Sequence, residues 1–121
     1  SDTINIGKGQ IGLGVPVYFF FNLNSVVLVD KSQLVNLDEI ATIAIQQGYD
    51  VTISGAADSA TGTEAINNNL SKRRADYIVD ELVKRGLKKE RLHGYSYGGI
   101  SKYESNEANR FTIVTLTSIN H

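Results

Sequence analysis

The run Val17-Tyr18-Phe19-Phe20-Phe21 is β-branched and aromatic without a polar break, and Asn22 to Asn24 close it. A short apolar run bounded by turn residues predicts a strand covered on both faces. Beyond it Leu34, Leu37, Ile40, Ala41 and Ala44 recur at helical spacing, opened by Asp30 with Gln33 in the manner of a capping box and stopped at Gly48. Tyr49 to Gly55 then alternates, with Val51 and Ile53 on one face and Asp50, Thr52 and Ser54 on the other, which predicts a second strand. After a loop over residues 56–63, Thr61 and Glu64 are placed to cap a second helix that carries Ala75, Ile78, Val79 and Leu82 and ends at Gly86. Residues 91–96 and 111–119 predict two further strands. The last has apolar residues on both faces, Phe111 and Ile113 against Val114 and Leu116, and so belongs inside the sheet. Residues 1–16, with Gly7, Gly9, Gly12 and Gly14 among isolated apolar positions, read as a linker or weak edge strand, leaving 17–121 as the domain.

The order β-α-β-α-β-β predicts an α+β fold. Right-handed crossovers between parallel strands place both helices on one face of a mixed four-stranded sheet, giving a two-layer sandwich.

A chain of 121 residues, 41% of them hydrophobic, holds one packed core and is short for two. Its 12 basic and 13 acidic residues are interspersed, so no basic stripe is available for a phosphate backbone and nucleic acid is not an expected partner. Without cysteine there is neither a disulfide framework nor a thiolate metal site, and with two histidines zinc lacks ligands; no cofactor is expected. No apolar run approaches the roughly 20 residues that cross a bilayer, so the domain itself is not expected to contact a membrane. Ser1 follows neither an initiator methionine nor a signal-like segment, as expected for a processed or excised piece whose anchor, if any, lies elsewhere.

The second helix breaks its own pattern. Ala75, Ile78, Val79 and Leu82 share one face, and that face projected toward the amino end meets or borders Asn67, Ser71 and Arg74. An unpaired buried guanidinium is costly, so these positions are expected at a wet pocket or a partner. Asp58 stands in the loop before the helix. A carboxylate and a guanidinium at one corner can hold a zwitterionic amino-acid group, the acid taking the ammonium and the base the carboxylate. From spacing alone the ordinary alternative weighs more: Asp58 closes an Asx-turn and pairs with Arg74 as a structural salt bridge.

Taken together, Gly55-Ala56-Ala57-Asp58, then Gly62, then Asn67-x-x-Leu70-Ser71-x-x-Arg74-Ala75, and finally Asn109-Arg110 resemble the signature of the OmpA-like family over roughly Val17 to Leu116. That family includes the carboxyl-terminal part of outer-membrane protein A, the peptidoglycan-associated lipoproteins and the flagellar stator proteins. The resemblance implies the same β-α-β-α-β-β order, a periplasmic location and non-enzymatic, non-covalent binding of peptidoglycan through the diaminopimelate of its stem peptide. It implies Asp58 and Arg74 as principal ligands, with Asn67 and Arg110 at the pocket rim, and it implies anchoring of the outer membrane to the cell wall. It also reverses the weighting of the corner in favour of ligand binding. The chain departs from the family pattern in three places. Ala56 and Ala57 replace a histidine and a threonine, the loop from Asp58 to Gly62 is one residue longer, and Phe111 replaces the second arginine of N-R-R. Such forms are similar to those of Bacteroides-type relatives.

Two other readings compete. Gly94-Tyr95-Ser96-Tyr97-Gly98 fits the G-x-S-x-G elbow of hydrolases, but no aspartate follows Ser96 and the sole later histidine is His121, so a strand-ending glycine turn and no enzyme are expected. His93, inside the third strand, reads as a packed or surface residue, and the charged turn from Lys84 to Arg91 as a solvated helix end. The runner-up function is a protein-interaction or dimerisation module, a homodimer included, that keeps the fold and offers Tyr95, Tyr97 and Tyr103 as contact area.

Overall fold

The computed structural model describes residues 11–118. Four strands, β1 (Val17–Phe20), β2 (Asp50–Asp58), β3 (Leu92–Ile100) and β4 (Phe111–Thr117), form one sheet in the order β1-β4-β2-β3. The helices α1 (Leu34–Gln47) and α2 (Glu64–Lys84) connect them. β3 is parallel to β2, whereas β4 is antiparallel to both β1 and β2. The α+β architecture and the inner place of the last strand are those expected from the pattern.

One face of the sheet carries the core. Val51 and Ile53 on β2 lie opposite Leu116 and Val114 on β4, and these side chains join Phe19 from β1, Leu37, Ile40 and Ala44 from α1, and Ile78 and Leu82 from α2. Burial of each large apolar side chain contributes about 1.5–3 kcal/mol. The opposite face bears Tyr18 and Phe20, which pair with Ile113 and Phe111. Tyr103 closes over this cluster, its ring centroid 6.1 Å from that of Phe111, and its hydroxyl lies 2.7 Å from that of Tyr18. Phe111 is thereby 1% exposed. The replacement of an arginine by Phe111 thus has a packing role: the phenyl ring completes an aromatic cluster on the side away from the helices.

Several expected boundaries shift. Asp30 Oδ1 accepts from Ser32 N and so caps a 3-10 turn (Lys31–Gln33) that leads into α1. Gln33 does not complete a capping box. Its amide bonds Phe20 N and Tyr18 O instead, tying the start of α1 to β1. Thr63, not Thr61, caps α2, its Oγ1 accepting from Ile66 N at 3.2 Å. Residues 56–58, expected in a loop, belong to β2, because β3 continues beside them to Ile100. The expected glycine turn after Ser96 is instead a bulge: Gly55 pairs with Ser96 and Ala57 with Gly99, leaving one extra residue on β3. Gly98 supplies the left-handed φ of +74° there. Ser96 therefore sits within a strand and not on a strand-to-helix elbow. His93 lies on the surface, with Nε2 2.7 Å from Asp50 Oδ2. In the segment before β1, Leu13 forms an isolated bridge with Leu116. Residues 1–10, and Ile119 of the expected last strand, lie outside the described residues.

Candidate functional site

The front of α2 comes unusually close to the sheet. A Cβ placed on Gly55 would lie 2.0 Å from Ser71 O and 2.9 Å from Ala75 N, so only glycine allows β2 and α2 to touch by their backbones. Contact this close leaves no room for large side chains, and the polar residues of α2 bond to the main chain. Ser71 Oγ donates to Asn68 O and accepts from Gly98 N at 3.0 Å, which holds the β3 bulge against the helix. Thr112 Oγ1 donates to Arg74 O across the same contact.

Arg74 is 0% exposed, the largest fully buried side chain described. Its guanidinium donates to three backbone carbonyls: Nε to Ser25 O at 3.0 Å, Nη1 to Ala56 O at 2.9 Å and Nη2 to Asn22 O at 3.1 Å. It also lies over the Phe21 ring, 5.4 Å from the centroid. Burial first, and then the neighbouring Arg110 cation, push its pKa down to about 10, with Asp58 acting in the opposite sense. The group is charged at neutral pH. Of the five N–H donors of a guanidinium, the three bonds to carbonyls leave two uncommitted.

Asp58, at the end of β2, is 3% exposed. Oδ1 accepts from Ala60 N at 3.0 Å, an Asx-turn, while Oδ2 faces Arg110 Nη2 at 3.5 Å. The Asx-turn of the structural alternative is therefore present, but the ion pair joins Asp58 to Arg110 and not to Arg74. Arg110 Nε is buried without a hydrogen-bond partner. Asn67 is buried beside Gly62, whose φ of +74° and 3.2 Å gap between a would-be Cβ and Asn67 Oδ1 call for glycine.

All four expected site residues, Asp58, Asn67, Arg74 and Arg110, wall one cavity of about 220 Å³. The expectation of a guanidinium standing free at the corner needs correction, because the carbonyls of residues 22, 25 and 56 hold it from three sides. Leu23, Asn24 and Ile66 also line the cavity, and no motif points to them, whereas Leu70, another lining residue, stands in the family signature. The one local hint is Asn24, whose φ of +53° makes the turn that presents the carbonyls of Asn22 and Ser25 to Arg74.

The sequence pattern of the OmpA family matches residues 20–111, a span that holds every residue of the cavity wall. The chain belongs to the OmpA family. It is 34% identical over 98 residues to outer membrane protein 40 of Porphyromonas gingivalis and 37% identical over 89 residues to outer membrane protein 41 of the same organism. These matches cover 79% and 72% of this chain but 25% and 22% of the relatives, so the chain spans about a quarter of their length. Both come from the Bacteroidetes, in line with the Bacteroides-type form of the motifs. Among solved structures, the fold is similar to the peptidoglycan-associated lipoprotein from Burkholderia pseudomallei, with a TM-score of 0.67 at 20% identity over 83% of this chain and 87% of that one. It is equally similar to the C-terminal domain of Helicobacter pylori MotB, with a TM-score of 0.69 at 20% identity over 85% of each chain. In this OmpA-family domain Gly55, Ser71 and Ala75 serve the close contact of helix and sheet, while Asp58, Arg74 and Arg110 set the charge of the cavity. The structure gives no helix long and apolar enough to cross a membrane among the described residues.

Proposed function

We propose that this domain binds peptidoglycan non-covalently by taking the free amino-acid end of a diaminopimelate residue into the cavity between β2 and α2. The observation that carries the reading is the meeting of one buried carboxylate and two guanidinium groups around a single small cavity. Asp58 Oδ2, held only by a long contact to Arg110, is available to an ammonium. Arg74 and Arg110 both line this space, and guanidinium groups suit a carboxylate. Asn67 completes the wall. The Burkholderia structural neighbour, a peptidoglycan-associated lipoprotein, supports the same ligand polymer. A periplasmic position follows, with attachment to the outer membrane supplied by the remainder of a longer protein like the Porphyromonas relatives.

Co-sedimentation with purified peptidoglycan tests the proposal. Native protein is expected in the pellet, and Asp58→Asn, which keeps the acceptor for Ala60 N, is expected in the supernatant with its melting temperature little changed. Binding of Asp58→Asn equal to native would overturn the assignment. The competing interaction-module reading draws on Tyr95 and Tyr97, both more than half exposed, although Tyr103 is packed against Tyr18 and Phe111 and does not join them in an open patch. A pure interaction module would gain no thermal stability from diaminopimelate.

A further inference from the structure

Arg74 and Arg110 wall the same cavity, yet the two guanidinium groups are held in opposite ways. Arg74 is fully buried, and each of its three side-chain nitrogens already donates to a main-chain carbonyl, those of Ser25, Ala56 and Asn22. Through these bonds it joins α2 to β2 and to the turn after β1. Arg110 is fixed by its backbone instead. Its carbonyl accepts from Phe21 N at 2.8 Å, and the side chain of the preceding Asn109 bonds the main chain of Tyr103 and Ser105. The head of the Arg110 side chain is by contrast little bonded. Among the described residues its one polar contact is Asp58 Oδ2 at 3.5 Å, Nε has no partner, and the side chain keeps 13% exposure. A cation so deeply placed with one long contact is costly, and a carboxylate is the group that relieves the cost.

We propose that the two guanidinium groups have different tasks: Arg110 receives the ligand carboxylate, and Arg74 is a positioning residue that fixes the cavity wall. The inference rests on the function proposed above and deepens it. It also inverts the ranking that the family resemblance implies, in which Arg74 is a principal ligand and Arg110 stands at the rim. Asp58 Oδ2 and Arg110 Nη2 are the pair that a zwitterion matches, ammonium to the acid and carboxylate to the base, so one long ion pair is exchanged for two. Arg74 contributes shape, because its bonds to Asn22 O and Ser25 O set the turn from which Leu23 and Asn24 line the cavity. Phe111 adds to the argument. It is buried in the aromatic cluster where the family pattern carries a second arginine, which leaves Arg110 as the only Lys or Arg after Lys102.

The test is calorimetric titration of native protein, Arg110→Gln and Arg74→Gln with two probes. One is diaminopimelate; the other is its diamide, in which both carboxylates become carboxamides and both ammonium groups stay. Native protein is expected to bind diaminopimelate about tenfold more tightly than the diamide, the equivalent of about 1.4 kcal/mol. Arg110→Gln is expected to cut that preference to about threefold or less while leaving the affinity for the diamide at its native value. Arg74→Gln is expected to weaken both probes by one common factor and to keep the native preference. A preference kept in Arg110→Gln or lost in Arg74→Gln overturns the division of tasks, and native affinity of Arg74→Gln for both probes removes its positioning role. Should Arg74→Gln not fold, Arg110→Gln, which gives up a single 3.5 Å contact, decides alone. Equal affinity of native protein for the two probes overturns this inference only. Failure of native protein to bind either probe overturns the assignment of the cavity and this inference with it.

Discussion

Along one stripe of α2, Ala75, Ile78 and Leu82 join the apolar cluster with Val51, Ile53 and Phe19, whereas Asn67, Ser71 and Arg74, buried just as deeply, border peptide groups and the cavity. The rear half is stable because burial removes apolar surface from water. The front half is stable because Ser71 and Arg74 hydrogen-bond to main chain from β3, β2 and the turn after β1. The cavity opens beyond this close contact, where the start of α2 meets the end of β2 and the turn after β1. The same helix thus supplies a core at one end and a cavity wall at the other.

The largest expected effect falls where the two regions meet. Gly55→Ala forces a methyl into the backbone of α2 at Ser71; overpacking costs about 1–3 kcal/mol and occasionally more, and a clash with rigid backbone at 2.0 Å belongs beyond that range, so urea denaturation should find the variant largely unfolded or strongly destabilised. At the rear, Leu82→Ala should lose about 2–5 kcal/mol while peptidoglycan retention, measured below the shifted melting point, stays at the native level. At the front, Arg74→Leu orphans the Ala56 carbonyl inside the fold and releases those of Asn22 and Ser25 to water. Leaving one buried acceptor unpaired costs about 1–3 kcal/mol, so the variant should melt earlier and also fail to bind. If Leu82→Ala abolished binding or Arg74→Leu preserved it, the division of labour between the halves would be refuted.

The smallest effect is expected at the far end of β2 from the cavity. The hydrogen bond from His93, aided by Arg91, holds the Asp50 carboxyl below the usual carboxylate range, against the opposing effect of burial. A depressed carboxyl adds stability above its unfolded pKa of about 3.9 and loses it as pH falls through the folded value. The melting temperature of native protein should therefore fall more steeply than that of Asp50→Asn as pH drops below about 4. Parallel curves would remove Asp50 from the acid response, and peptidoglycan binding at neutral pH should be the same in both.

Much of this arrangement is legible in the amino-acid order. The Val17 to Phe21 run announces a strand, although β1 lies at the sheet edge with Tyr18 and Phe20 only half-buried; the two apolar faces of Phe111 to Leu116 announce an inner one, and Gly48, with φ of +71°, ends α1 where the helical period stops. The polar break at Asn67, Ser71 and Arg74 marks the site, because burial without partners would be too costly there. The partners themselves are not legible. Arg74 binds carbonyls of Asn22 and Ser25, 52 and 49 residues away, and a carbonyl carries no side-chain signature. In sequence Gly98 looks like a strand stop, because a left-handed glycine serves a turn or a bulge equally well; only pairing with β2 distinguishes the two. Thr61 and Thr63 are chemically equal caps, and only the fold separates them: Thr63 Oγ1 accepts from Ile66 N, while Thr61 Oγ1 donates to Asp58 O.

The most direct measurement of the central claim is thermal unfolding of native and Asp58→Asn protein with and without diaminopimelate. A rise in melting temperature for native protein that vanishes in Asp58→Asn, the two having similar midpoints without ligand, is the expected result. An equal rise in both proteins, or none in native protein, would contradict the placement of the amino-acid group at Asp58.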